Sequence, residues 1–137
     1  MTLNRSMPTA ATAPPGAPAP GELEGRFCLH AAAADVDALT RLYAADAVVS
    51  LPHGREAAGH TAIRGAFAEA LAAGMRWAEP DSVRVIETGA LAMTCSTSCD
   101  GVVSTQVARR EPDGRWAWVR DGSHLRAATG VDLLGAA

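Results

Sequence analysis

The sequence contains no lysine, so all twelve of its basic residues are arginine. Against fifteen Asp and Glu they leave a formal net charge of −3 and a pI of about 5.7. That balance lacks the basic face that phosphate contacts require and argues against nucleic-acid binding. Long apolar runs are missing too: none approaches the ~20 residues that span a bilayer. Arg5 is followed by Met7-Pro8 and a proline-rich stretch, which interrupts any signal-peptide apolar region. The cysteines are three, an odd number without motif spacing. Cys95 and Cys99 would stand roughly 13 Å apart on one strand, too far for a disulfide. Reduced thiols in a cytoplasmic protein are the expectation.

Aromatic residues make up only 4% of the chain, although 48% is hydrophobic. Much of that apolar content is alanine, which buries little area per residue. The expected core therefore leans on Leu39, Leu42, Tyr43, Ile63, Phe67, Leu71, Val85, Leu91 and Met93. A length of 137 residues suits one domain. Residues 1–20, rich in Pro, Ala and Thr, bury too little to offset ordering entropy and read as a disordered tail. The domain is expected over 21–130, with 131–137 a flexible C-terminus.

Helix formers fill Glu22 to Ala34, with Leu23, Phe27 and Ala31 on one face. Asp35 suits an N-cap for a second helix from Val36 to Tyr43. Ala47 to Leu51 reads as a strand stopped by Pro52 and Gly54, and 54–59 as a loop. Ile63, Phe67 and Leu71 mark a third helix, Thr61 to Ala73, with Gly74 as its cap. Strands follow at Ser82 to Glu87, Ala90 to Cys99, Val102 to Arg110 and Trp116 to Arg120, with turns at Thr88-Gly89, Asp100-Gly101 and Pro112-Asp113-Gly114. The order predicts an α+β fold, helices packed on one face of a curved, mostly antiparallel sheet.

Three segments carry a family likeness. Ala34 to Leu39 with Leu42 to Val49 resembles the opening of the nuclear-transport-factor-2-like (NTF2-like) superfamily, where a helix pair ends in a tyrosine and runs into the first strand. Gly59-His60-Thr61-Ala62-Ile63-Arg64 resembles that superfamily's Gly-x-x-Ala-Ile-Arg helix start. Arg109 to Trp116 resembles the hairpin of its SnoaL-like and SgcJ/EcaC-type branches. The likeness covers about residues 22–126. It implies a cone with three N-terminal helices enclosing a pocket, and often a homodimer through the outer sheet face. Relatives include ketosteroid isomerase and polyketide cyclases, and the SgcJ-type branch resembles proteins encoded among enediyne antibiotic biosynthesis genes.

The isomerase's chemistry does not carry over. Its oxyanion tyrosine aligns with Phe27, its base with Leu51 and its protonated acid with Gln106. The likeness to SnoaL-type cyclases points instead to Asp121 as an acid/base group on the last strand, although their partner histidine is missing from Val102 to Arg110. Alternation would put Ala117, Val119 and Asp121 on one face, opposite Trp116, Trp118 and Arg120. Asp121 then faces the pocket, or it is a surface residue opening the turn before Gly122. The tryptophans would cover a dimer interface or stack on a flat ligand.

The expected ligand-binding set is Phe27, Tyr43, Leu51, Trp77, Met93, Cys95, Thr97, Gln106 and Val119, around an apolar small molecule. Leu91, Met93, Cys95 and Thr97 share one strand face, taken as pocket-lining. His53, Glu56 and His60 share a loop without helical alignment and read as solvated rather than metal-binding. Asp121, Ser123 and His124 do not align as a triad. No motif asks for a cofactor. The functional expectation is a pocket protein of polyketide or enediyne-type biosynthesis working by acid/base chemistry, or else a non-catalytic carrier or a dimeric interaction module.

Overall fold

A computed structural model describes residues 14–99 and 101–127. Helix α1 (Leu23–Ala32) leads into α2 (Val36–Thr40), and the Asp35 carboxylate accepts a hydrogen bond from the Ala38 amide at 3.0 Å, as an N-cap should. Strand β1 (Tyr43–Ser50) follows directly, so α2 stops three residues short of its expected end and Tyr43 belongs to the sheet. The expected loop contains a short strand, β2 (Glu56–Ala58), before α3 (Gly59–Ala72). Strands β3 (Ser82–Thr88), β4 (Leu91–Thr97), β5 (Val103–Arg110) and β6 (Trp116–Asp121) complete a six-stranded sheet. Its order is β2-β1-β6-β5-β4-β3, with β1 and β6 parallel and every other pair antiparallel.

The helices cover the concave face of the sheet, and the core lies between them. Leu23, Phe27, Leu39, Tyr43, Ile63, Phe67 and Trp118 are fully buried there. With so few aromatics, the protein concentrates them in one cluster. Phe27 packs against Phe67, Trp77 and Trp118 at centroid distances of 5.8, 5.5 and 6.2 Å. Tyr43 lies 5.3 Å from Trp118. Such tilted and edge-on pairs add to the burial of large apolar area. Val85, Leu91 and Met93, expected in the core, are solvent-exposed instead. Leu91 and Met93 point to the face of β4 opposite the buried Ala92 and Thr94, whereas Val85, paired with Thr94, is on the inner face of the edge strand β3 and is only partly covered, beside Gly21.

Phase decides the interior of the sheet. On β4 the buried residues are Ala92, Thr94 and Ser96, and on β5 Ser104, Gln106 and Ala108. Met93, Cys95 and Thr97 therefore point to the convex face, which corrects their expected place in the pocket. On β6 strict alternation fails. Ala108 pairs with Trp118 but Val107 pairs with Arg120, so Val119 is an extra residue, a β-bulge. The bulge resets the phase, and Trp116, Trp118 and Asp121 all face inward. The tryptophans are thus core, neither dimer interface nor ligand platform. Val119 packs outside with Ala44 and Ala117.

Residues 14–20, expected within the disordered tail, form a strap on the domain. Ala17 is fully buried and exchanges two backbone hydrogen bonds with Trp116, of 2.9 and 2.8 Å. Arg115 donates to the carbonyls of Pro15 and Gly16. Residues 1–13 and 131–137 lie outside the described residues. Gly16 has φ +69°, and a Cβ there would meet the Trp116 carbonyl oxygen at 2.2 Å. Gly16→Ala is therefore expected to detach the strap and destabilise the fold by about 1–3 kcal/mol, read by urea denaturation. A melt identical to wild type would show that the strap adds nothing.

Candidate functional site

Inside the cone, polar residues meet behind the aromatic cluster. The Trp118 indole N–H donates to Thr94 Oγ1 at 3.0 Å, and that hydroxyl donates to Gln106 Oε1 at 3.0 Å. Tyr43 Oη donates to Asp121 Oδ2 at 2.6 Å, and the other Asp121 oxygen accepts from the Ser123 amide at 3.0 Å. Burial first, and then the neighbouring Asp121 charge, pushes the Tyr43 hydroxyl well above its ordinary pKa, so it stays protonated as the donor. Asp121 is 2% exposed.

After β6 the chain turns sharply. His124, Leu125 and Arg126 all have left-handed φ angles of 52°, 53° and 63°. A run of this kind costs roughly 1–2 kcal/mol per residue. It is held by the buried Leu125 side chain and by Ser123, whose Oγ accepts from the Arg126 amide. The turn drives Arg126 back into the cone, where its guanidinium pairs with Glu24 of α1. The guanidinium carbon stacks 3.7 Å from the Phe27 ring centroid. Burial opposes the charge on Arg126, but Glu24, Asp121 and Tyr43 outweigh it and its pKa is raised. Both side chains of the pair are about 95% buried, at 6% and 5% exposure. A buried pair of this sort adds little net stability, yet loss of either partner strands a charge. Cys28, one turn along α1 from Glu24, has its thiol pushed up to about 11 by burial and the Glu24 charge, which keeps it unreactive.

Beside this pair lies a cavity of about 200 Å³, between the start of α1, the loop after α3 and the β4–β5 hairpin. Glu24, Trp77, Ser96, Ser104 and Arg126 line it, and the exposed Val102 and Cys99 form part of its rim. Of the expected ligand-binding residues, Trp77 is the one placed there. Phe27 and Tyr43 are core behind it, Leu51 packs half-buried against the core, and Gln106 is buried in the polar row. Asp121 faces the interior as one reading required, but it does not line this cavity.

Glu24 and Arg126 were not legible as site residues. Glu24 falls on the apolar side of a helix and Arg126 follows the last predicted strand, so only the left-handed turn joins them. His60, of the candidate metal loop, donates through Nε2 to the Tyr43 carbonyl at 2.7 Å. Among the described residues no three His, Cys, Asp or Glu side chains gather as a metal site. Removing the hydroxyl in Tyr43→Phe is expected to lower stability by about 1–3 kcal/mol, because it orphans a buried carboxylate oxygen. Asp121→Asn should cost a similar amount. The double variant should cost less than the sum, whereas strict additivity in urea unfolding would deny the coupling.

No family model matches the chain, and no curated protein matches it. Solved structures do. A candidate calcium/calmodulin-dependent protein kinase type II association domain from Thiobacillus denitrificans superposes with TM-score 0.65 at 19% identity, over 79% of this chain and 95% of that one. An NTF2-like protein with a cystatin-like fold from Novosphingobium aromaticivorans gives 0.57 at 24% identity, over 74% and 76%. A ketosteroid isomerase-like protein from Erwinia carotovora atroseptica gives 0.55 at 19%, over 73% and 88%. At these identities the likeness speaks for architecture, and the chain has the NTF2-like fold, an α+β cone.

Proposed function

We propose that this chain is a small-molecule pocket protein whose ligand occupies the cavity at the open end of the cone. The observation that carries this reading is the cavity's composition. One carboxylate, two guanidinium groups, three serines and one tryptophan sit among apolar groups, the mixture expected where a few polar groups orient a mostly apolar ligand. Binding or carriage is supported better than acid/base catalysis by Asp121. Both Asp121 oxygens already accept hydrogen bonds, and the cavity is lined by Glu24 instead. The likeness of Arg109 to Trp116 to the SnoaL-like and SgcJ/EcaC-type hairpin supports a place in polyketide or enediyne-type biosynthesis, in the cytoplasm. No helix among the described residues is long and apolar enough to cross a membrane.

Native mass spectrometry of protein purified from its producing organism tests the reading. Wild type should carry a non-covalent small molecule, released on denaturation. Val102→Trp, which blocks the exposed rim, should lose it. An empty wild type, or equal loading of the two, would count against the cavity.

A homodimer through the convex face is part of the same proposal. Ile86, Leu91, Met93 and Val103 share that face and are 65, 52, 43 and 59% exposed, and a contiguous exposed apolar patch is the kind of surface that marks a protein–protein contact. Sedimentation should give twice the chain mass for wild type and a monomer for Met93→Glu. A monomeric wild type at micromolar concentration would end the proposal.

A further inference from the structure

Among the described residues, three buried side-chain donors have no hydrogen-bond partner: Arg126 Nη1, Trp77 Nε1 and Gln106 Nε2. Two of the three belong to residues lining the cavity, and both pack on the same Phe27 ring, Arg126 at 3.7 Å and Trp77 at 5.5 Å. A buried donor left unpaired costs about 1–3 kcal/mol, so orphans at a cavity wall are groups to which a ligand can contribute. Each atom exposes less than 1 Å². A ligand oxygen therefore meets them as the indole or guanidinium tilts a little toward the open space.

The charge around these donors selects among acceptors. Arg126 is already paired with Glu24 and acts also on Asp121, so two carboxylates face this buried guanidinium. Arg76 also lines the cavity, but it is exposed and its Nη1 donates to the Leu71 and Met75 carbonyls, so solvent screens its charge. An anionic ligand would bring a third negative charge into a poorly solvated place, which like-charge repulsion and desolvation both oppose. An uncharged oxygen takes the same donors without that penalty. Size sets the remaining constraint. A dry cavity of about 150 Å³ holds benzene, so about 200 Å³ admits one ring with a short substituent, with any further length lying over the rim.

Resting on the pocket reading above, we infer that the cavity is a subsite for a neutral, ring-sized molecule whose oxygen accepts from Arg126 and Trp77. The ring lies against the apolar wall and the acceptor points toward the side of the cavity nearest Phe27, on which Arg126 and Trp77 both pack.

Three probes of one size separate the possibilities: acetophenone (neutral acceptor), benzoate (anion) and ethylbenzene (no acceptor). Binding is measured by protein NMR shift titration on wild type and on Trp77→Phe, which keeps an aromatic ring but removes the N–H. Acetophenone should bind tightest to wild type. Trp77→Phe should weaken acetophenone about fivefold, the worth of one net hydrogen bond, and leave ethylbenzene within twofold. The ethylbenzene titration also reports whether the variant keeps its fold and cavity. Tightest binding by benzoate would overturn the neutral-acceptor assignment. Equal binding of acetophenone and ethylbenzene, or no effect of Trp77→Phe on acetophenone, would overturn the donor assignment while leaving the pocket in place. If none of the probes shifts cavity resonances at millimolar concentration, the subsite and the pocket reading both fall.

Discussion

One extra residue in β6 governs the interior of this protein. Without the bulge at Val119, a strand that puts Trp118 into the core would turn Asp121 out to solvent, because side chains alternate with period two. With it, Trp118 joins the aromatic cluster and Asp121 reaches the Tyr43 hydroxyl. Asp121 then receives the Ser123 amide, and the Ser123 hydroxyl receives the amide of Arg126. The left-handed turn, the Glu24–Arg126 pair and the wall of the cavity all follow from that reset of phase.

The aromatic cluster and the buried ion pair serve different ends. Phe27, Phe67, Trp77 and Trp118 supply large apolar area that an alanine-rich chain otherwise lacks. Arg126 against Glu24 contributes little to net stability, but it fixes a charged, hydrogen-bonding wall at the mouth of the cone. On the convex face, exposed charges hold the sheet. Arg109 on β5 reaches Asp46 on β1 at 2.9 Å and Glu111 at 2.7 Å, across the outside of β6. The Asp46 carboxyl is held below its usual range by that arginine. Its small contribution is therefore present at neutral pH and lost as acid protonates it.

The elements were readable because their signals are local. The i, i+4 stripe of α3, the Asp35 cap and the turn glycines each act within a few residues, and each appears where the sequence places it. The pocket face was misread for an equally physical reason. Met93, Cys95 and Thr97 are as apolar or small as an inner face would be, and a period of two says which residues share a face but not which face is covered. Helix coverage decides that, and it puts Thr94 and Ser96 inside. The strap at residues 14–17 was missed because it is held mainly through backbone and the Arg115 guanidinium, on a segment with little apolar content.

The sequence alone determined the order of helices and strands, the turns between them and the likeness to an NTF2-like cone, since hydrophobic period, capping and turn chemistry are properties of neighbouring residues. Tertiary structure decided the rest: which strand face is inside, the inward turn of Asp121 past the bulge, and the meeting of Glu24 with Arg126 across a hundred residues of chain. Those depend on register and on non-local burial, which no window of sequence contains.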